Sequence, residues 1–280
     1  MSWRLSIRHR TGYRYQGEVR SSYNEARVTP LSTDRQVALE ASVSVDPAVS
    51  TYRYWDYWST MVDAFDIHVP HTEMTVVGES VVETSPPLEE QPVIDWDGLS
   101  APEVRDIYAE MLAPTTHVPE FEEASDAARF LAEGRSPVEA VEDVCTWSRE
   151  RLEYVKGTTD VSTTAADAAR IGSGVCQDFA HLTLAVLRSM GVPARYVSGY
   201  LHPRASAAVG ETVFGQSHAW IEAWTGHWWP LDPTHGGPVG ERHVIVARGR
   251  DYGDVPPLKG IYHGAPSEAL TVTVELTRLA

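Results

Sequence analysis

The segment from Cys176 to about Met190 constrains this fold more than any other. Phe179, Ala180, Leu182, Leu184, Ala185, Val186 and Leu187 place apolar side chains around most of a helical circumference. A helix apolar nearly all round has no face to give to water, so it belongs in the middle of a domain. Gly172-Ser173-Gly174 marks its approach. After Gly191, strand-like stretches follow at Ala194 to Leu201, Gln216 to Trp224 and Trp228 to Asp232, with a last strand at Ala269 to Leu279.

The N-terminal part reads differently. Trp3 to His9 and Val37 to Val45 alternate apolar and polar residues with period two, and Thr75 to Val82 does so in part. Tyr52 to Trp58 and Met61 to Val69 add candidates rich in aromatic and branched residues. Short strands at this spacing suggest an antiparallel sandwich over residues 1–85. Pro86-Pro87 opens an acidic linker over 86–99, and residues 100–280 form an α+β core. In that core Ser100-Ala101-Pro102-Glu103 and Ser136-Pro137-Val138-Glu139 both read as capping boxes with proline at the first helical position. A shorter helix spans Ser125 to Glu133 and ends at Gly134.

Composition narrows the function. A formal net charge of −16 over 280 residues argues against an extended nucleic-acid footprint, which needs a basic face. No apolar run approaches the roughly 20 residues of a membrane span, and no leader pattern opens the chain, so the expected compartment is the cytoplasm with no membrane partner. Two cysteines, Cys145 and Cys176, exclude a disulfide framework or a four-cysteine zinc site. His202, His227, His235, His243 and His263 show no ligand spacing, so neither a metal nor another cofactor is expected.

Chemistry concentrates at Cys176. At a helix start its thiol lies among unpaired backbone N–H groups at the positive end of the dipole, a setting that favours thiolate. Its own N–H is a candidate oxyanion donor, and the glycines before it, Gly174 nearest, would let a substrate carbonyl approach. Downstream, Ser217-His218-Ala219-Trp220 lies on an alternating strand and Leu231-Asp232-Pro233-Thr234 follows a turn at Thr225-Gly226-His227. A three-residue loop pairs Trp224 with Trp228 and Trp220 with Asp232, putting His218 and Asp232 on one face as diagonal neighbours. A two-residue loop sends Asp232 to the other face. Cys145 lies on the inward stripe of its helix, and Asp178 and His181 read as supports for neighbouring loops. Trp220, Trp224, Trp228 and Trp229 could line a groove or fill a core.

Val175-Cys176-Gln177-Asp178-Phe179-Ala180-His181-Leu182, Ser217-His218-Ala219-Trp220 and Leu231-Asp232-Pro233-Thr234, in that order, resemble the bacterial transglutaminase-like superfamily. Arg8 to Tyr15 and Asn24 to Pro30 are similar to the β domain that often precedes that core, and Val246 to Pro257 to its end. The resemblance implies a papain-like core in which the Cys-bearing helix packs on an antiparallel sheet, with a Cys176–His218–Asp232 triad acting on amides of a peptide or protein substrate through a thioester. Gly174, Trp220 and His235 are the implied substrate contacts; His235 stands where relatives often carry asparagine, and Trp58-Ser59-Thr60 replaces a commoner Phe-Gly-Asn turn. A competing reading is a non-catalytic peptide-binding or protein-binding module that keeps the fold.

Overall fold

The computed structural model describes residues 2–87, 94–215 and 217–280. The N-terminal region holds β1 (Trp3–Ala26), β2 (Gln36–Asp46), β3 (Tyr52–Trp55), β4 (Met61–Ile67) and β5 (His71–Thr84). β1 is much longer than its sequence pattern suggests, because its alternation breaks at a bulge. Trp3, Leu5, Ile7, His9 and Thr11 point inward, as do Tyr15 and Val19; past the irregularity between Val19 and Ser21 the buried set becomes Ser22, Asn24 and Ala26. One extra residue flips the face, which is how a single strand can serve two parts of a curled sheet.

Helices follow: α1 (Trp96–Leu99), α2 (Pro102–Ile107), α3 (Ala109–Leu112), α4 (Glu122–Ala132) and α5 (Pro137–Arg151). The two expected capping boxes part company. Ser136 and Glu139 form theirs, with the Ser136 N–H donating to Glu139 Oε2 at 2.8 Å. Ser100 instead ends α1, and Ala101 precedes α2 with no side-chain cap. The α1 turn, capped by Asp95, uses residues expected in the 86–99 linker; residues 88–93 of that linker lie outside the described residues.

The second half contains β6 (Glu153–Tyr154), α6 (Ala165–Ile171), β7 (Ser173–Gly174), α7 (Cys176–Ser189), β8 (Ala194–Leu201), β9 (Thr212–Gly215), β10 (Ser217–Trp224), β11 (Trp228–Leu231), β12 (His243–Gly249), β13 (Leu258–Gly264) and β14 (Ser267–Arg278). As its composition requires, α7 is central: it packs on α4, α5, α6, β8 and β10. The antiparallel sheet behind it runs β11-β10-β8-β12. Ala219, Ile221 and Ala223 of β10 meet Ala180, Leu184 and Leu187 of α7 in one core cluster.

The far face of that sheet is covered by the N-terminal region. Trp220, Val197 and Ile245 pack with Leu31 and Val239. The Gln36 side chain bonds the backbone of Leu31 and, in both directions, of Ile245, where β12 is irregular. A division at residue 100 does not separate the sheets. β14 pairs with β1 from Leu5↔Arg278 to Tyr15↔Ser267, β13 pairs with its second half, and β9 extends β14. The chain therefore returns to the N-terminal sheet twice. Local periodicity foretold the last strand but not its partner, since pairing over more than 250 residues leaves no trace in a short window.

Candidate active site

The loop before Cys176 is held by backbone pairing. The Glu153 N–H donates to Gly172 O and the Val155 N–H to Gly174 O, each at 3.0 Å, while Gly172 takes a left-handed φ of 79°. Val175 cannot cap the helix with its side chain, so Asp178 does the work from inside the first turn. Its Oδ2 accepts the Val175 N–H and the Thr159 hydroxyl, both at 2.7 Å. A Cβ on Gly174 would lie 2.5 Å from that same oxygen. Glycine at 174 makes room for Asp178, and Gly174, expected as a substrate contact, lies just behind the groove-lining Val175 and Cys176. Burial raises the Asp178 pKa against the pull of these hydrogen bonds.

His181, one helical turn deeper, is fully buried, and its Nε2 accepts the Tyr252 N–H at 3.2 Å. Its ring lies between those of His117 and Tyr196, each 5.2 Å away. Burial drives its pKa down to about 3, so it stays neutral and ties α7 to the loop at Tyr252. Cys145 is buried in α5, its thiol pushed up to about 12 chiefly by desolvation; both cysteines are free.

The hairpin takes the register that brings the other groups together. Trp224 pairs with Trp228 and Ile221 with Leu231 across Thr225-Gly226-His227, with Gly226 at a φ of 109°. His218 Nε2 then meets Asp232 Oδ2 at 2.8 Å, both side chains buried. Cys176 and His218 line the same groove, and the thiol acts on the imidazole through hydrogen bonding and charge. Burial alone would lower the His218 pKa and is the largest single influence. The hydrogen bonds to Asp232 and Cys176, with the charge on both, outweigh it and raise the value to about 9.

Asp232 is gripped from five directions. Oδ1 accepts the backbone N–H of Thr234 at 2.9 Å and of His235 at 3.3 Å. Oδ2 faces His218, His235 Nδ1 at 3.2 Å and His243 Nε2 at 3.5 Å. Burial opposes its charge, but the three imidazoles together hold this carboxyl far below the usual carboxylate range. The ligating atoms of His218, Asp232 and His243 lie within 4.8 Å of one another, compact enough for a cation. The Gly240 N–H, however, donates to His243 Nδ1 at 3.3 Å. That bond leaves the ring proton on Nε2, facing the carboxylate, so the cluster is a hydrogen-bond network.

A groove of ≈ 430 Å³ opens in front of these groups. Cys176, His218 and His235 line it with Gln177, Tyr154 and Lys156. Among the described residues no carboxylate lines it, although the chain carries a large excess of acids. His235 lies where a substrate contact would need it, with its ring 55% exposed. Trp220 does not: it is fully buried, its ring crossing over Gly199, where a Cβ would come within 2.7 Å of it. Trp224 and Trp228 pack on Tyr108. His243 escaped the sequence reading because its neighbours in space are 11 and 25 residues away in the chain. Its one local signal is a histidine opening the otherwise apolar run Val244-Ile245-Val246-Ala247.

A thiol at a helix start, an imidazole beside it and a buried carboxylate behind the imidazole define a papain-like α+β protein with the constellation of a thiol enzyme. The model for the transglutaminase-like superfamily matches residues 125–233, and that for the bacterial transglutaminase-like N-terminal region matches residues 5–83. The uncharacterized protein ML0607 of Mycobacterium leprae is 49% identical over 99% of this chain and 100% of its own length. Rv2569c of Mycobacterium tuberculosis, also uncharacterized, is 33% identical over 98% and 92%. A solved structure from Cytophaga hutchinsonii, proposed to be a cysteine protease, shares the fold with a TM-score of 0.77 at 24% identity, covering 100% of this chain and 92% of that one. This chain belongs to the transglutaminase-like superfamily and carries its bacterial N-terminal region.

Proposed function

We propose that the protein is a thiol enzyme acting on amide bonds of a peptide or protein, with Cys176 as nucleophile, His218 as acid and base, and Asp232 as the group that orients His218. The observation that carries this reading is one imidazole held at 2.8 Å by a buried carboxylate on one side and facing the Cys176 thiol on the other. In the first half-reaction Cys176 Sγ bonds the amide carbonyl carbon and the thiol proton passes to His218. The C–N bond then breaks, His218 protonates the leaving amine, and a thioester remains. The N–H of Cys176, at the first residue of α7, is the donor we assign to the developing oxyanion. In the second half-reaction His218 removes a proton from water or from a second amine, which attacks the thioester and frees the thiol.

Hydrolysis of a peptide, isopeptide or glutamine amide ranks ahead of transfer, because the groove is open to water at His235 and Lys156. Mass spectrometry of glutamine-containing peptides, with and without a primary amine, tests this. Cleavage or a deamidation mass alone supports hydrolysis, and a mass gain equal to the amine less ammonia supports transfer. Wild-type protein that leaves every peptide unchanged, or a Cys176→Ala variant that matches the wild type, defeats the reading.

A further inference from the structure

We propose that His243 is a positioning residue of the triad, whose neutral ring donates from Nε2 to Asp232 and keeps Oδ2 aimed at His218. The proposal rests on the reading of Cys176, His218 and Asp232 given above, and goes beyond it to a residue that none of the three motifs contains.

The topology sets up the contact. His218 on β10 pairs with Gly199 of β8, while His243, first residue of β12, pairs with Leu201 on the other side of that strand. The two imidazoles thus flank β8, and Asp232 arrives between them from the end of β11. Trp220 fixes both from below. Its ring crosses Gly199 to lie 6.0 Å from the His218 ring and 5.3 Å from the His243 ring. Only glycine at 199 permits this, since a Cβ would meet Val244 O at 2.0 Å as well as the indole.

The direction of the proton follows from chemistry. Gly240 donates to Nδ1, so Nδ1 accepts and Nε2 carries the hydrogen that faces Asp232. Burial lowers the His243 pKa, with the His218 and Arg242 charges acting the same way and Asp232 opposing. Facing it are Asp232 and His218 on the triad side and Arg242 beside it in sequence. A cavity of ≈ 380 Å³ that His243 also lines brings in Asp34, Arg35, Arg195, Glu222, His227 and Arg248. Among its buried partners, Asp232 thereby has one cationic imidazole to stabilise, that of His218, and one uncharged imidazole, that of His243, that holds its angle; His235 joins from the exposed side. Without that donor Oδ2 keeps only the exposed His235 beside His218, so its aim at His218 loosens, the His218–Asp232 bond weakens, and burial lowers the His218 pKa.

Three variants separate positioning from packing. His243→Gln keeps a donor near the Nε2 position. His243→Asn keeps an acceptor for Gly240 but lacks the reach to Asp232. His243→Leu removes both and fills the space. NMR titration of histidine-labelled protein reads the His218 pKa directly and needs no substrate, while turnover of a peptide amide gives kcat and KM. The expected result is a His218 pKa lower by about one unit in the Asn and Leu variants. Their kcat should drop about tenfold to a hundredfold with KM little changed, and the Gln variant should restore both. Should the Leu variant fail to fold, the Asn and Gln pair carries the same comparison. A His218 titration that stays put in His243→Asn, or a Gln variant no better than Asn, overturns the role of His243. Loss of the His218 shift with no amide turned over by the wild type would leave that role standing and defeat the proposed function instead.

Discussion

His181 and His218 are both buried imidazoles close to Cys176, yet their pKa values are driven to opposite ends, about 3 and about 9. Burial is the leading influence on each and pushes both the same way. The partner decides the outcome. His181 accepts a backbone N–H, which suits a neutral ring, whereas His218 has a carboxylate at 2.8 Å and a thiol on its other side. Two buried histidines thus become a structural tie and a proton carrier. Depth in the protein says nothing about which is which; the partners of the ring nitrogens decide it.

The contrast is broken most severely by removing the reacting groups. Cys176→Ala and His218→Ala should each cut amide turnover by at least about 10⁴-fold, while a melting curve checks that the fold persists. Asp232→Asn is expected to make His218 behave like His181. With the carboxylate gone, only Cys176 still opposes burial, so the pKa falls well below about 9. The alkaline limb of the rate profile then moves to lower pH, because the imidazolium that protonates the leaving group is lost earlier. A rate loss of about 10³- to 10⁴-fold should accompany it.

His181 calls for the converse experiment. His181→Leu leaves the Tyr252 N–H without its acceptor and should cost about 1–3 kcal/mol of stability, measured by denaturant unfolding, without moving the alkaline limb. The two histidines also act oppositely on stability. A ring held neutral to about pH 3 loses stability as pH falls below 6.5, since the unfolded chain binds the proton first. His218, raised to about 9, contributes stability that is full below 6.5 and is lost as pH rises through 9. The acid slope should therefore flatten in His181→Leu, and the alkaline slope in Asp232→Asn. The smallest effect is expected at Lys156, an exposed cation at the groove. Lys156→Glu should lower kcat/KM about threefold for peptides with an acidic residue beside the attacked amide, and added salt should shrink the difference.

Much of this was legible in the sequence because it is local. The all-round apolar pattern put α7 at the centre, and the turn at Thr225-Gly226-His227 offered two registers, of which the structure takes the one that joins His218 to Asp232. Asp178 and His181 proved to be the supports their positions suggested. What escaped depends on distance along the chain. β14 was readable as a strand, but nothing in it names β1 as partner, and β13 went unread. His243 reaches Asp232 only because β12 lies beside β8. Trp220 was assigned to the groove because alternation gives a side chain's face, and either face of this sheet is covered: one by α7, the other by Leu31 and Val239. Ser100 carried a helix-start signature that α1 used for its own end.

The most direct measurement of the central claim is intact-protein mass spectrometry on acid-quenched mixtures of the protein with a reactive peptide or amide. The expected result is a transient mass increase equal to the acyl group, mapped to Cys176, that disappears on further incubation and never forms in Cys176→Ala. Amide turnover with no acyl mass on Cys176 at any quench time, persisting in Cys176→Ala, would contradict it.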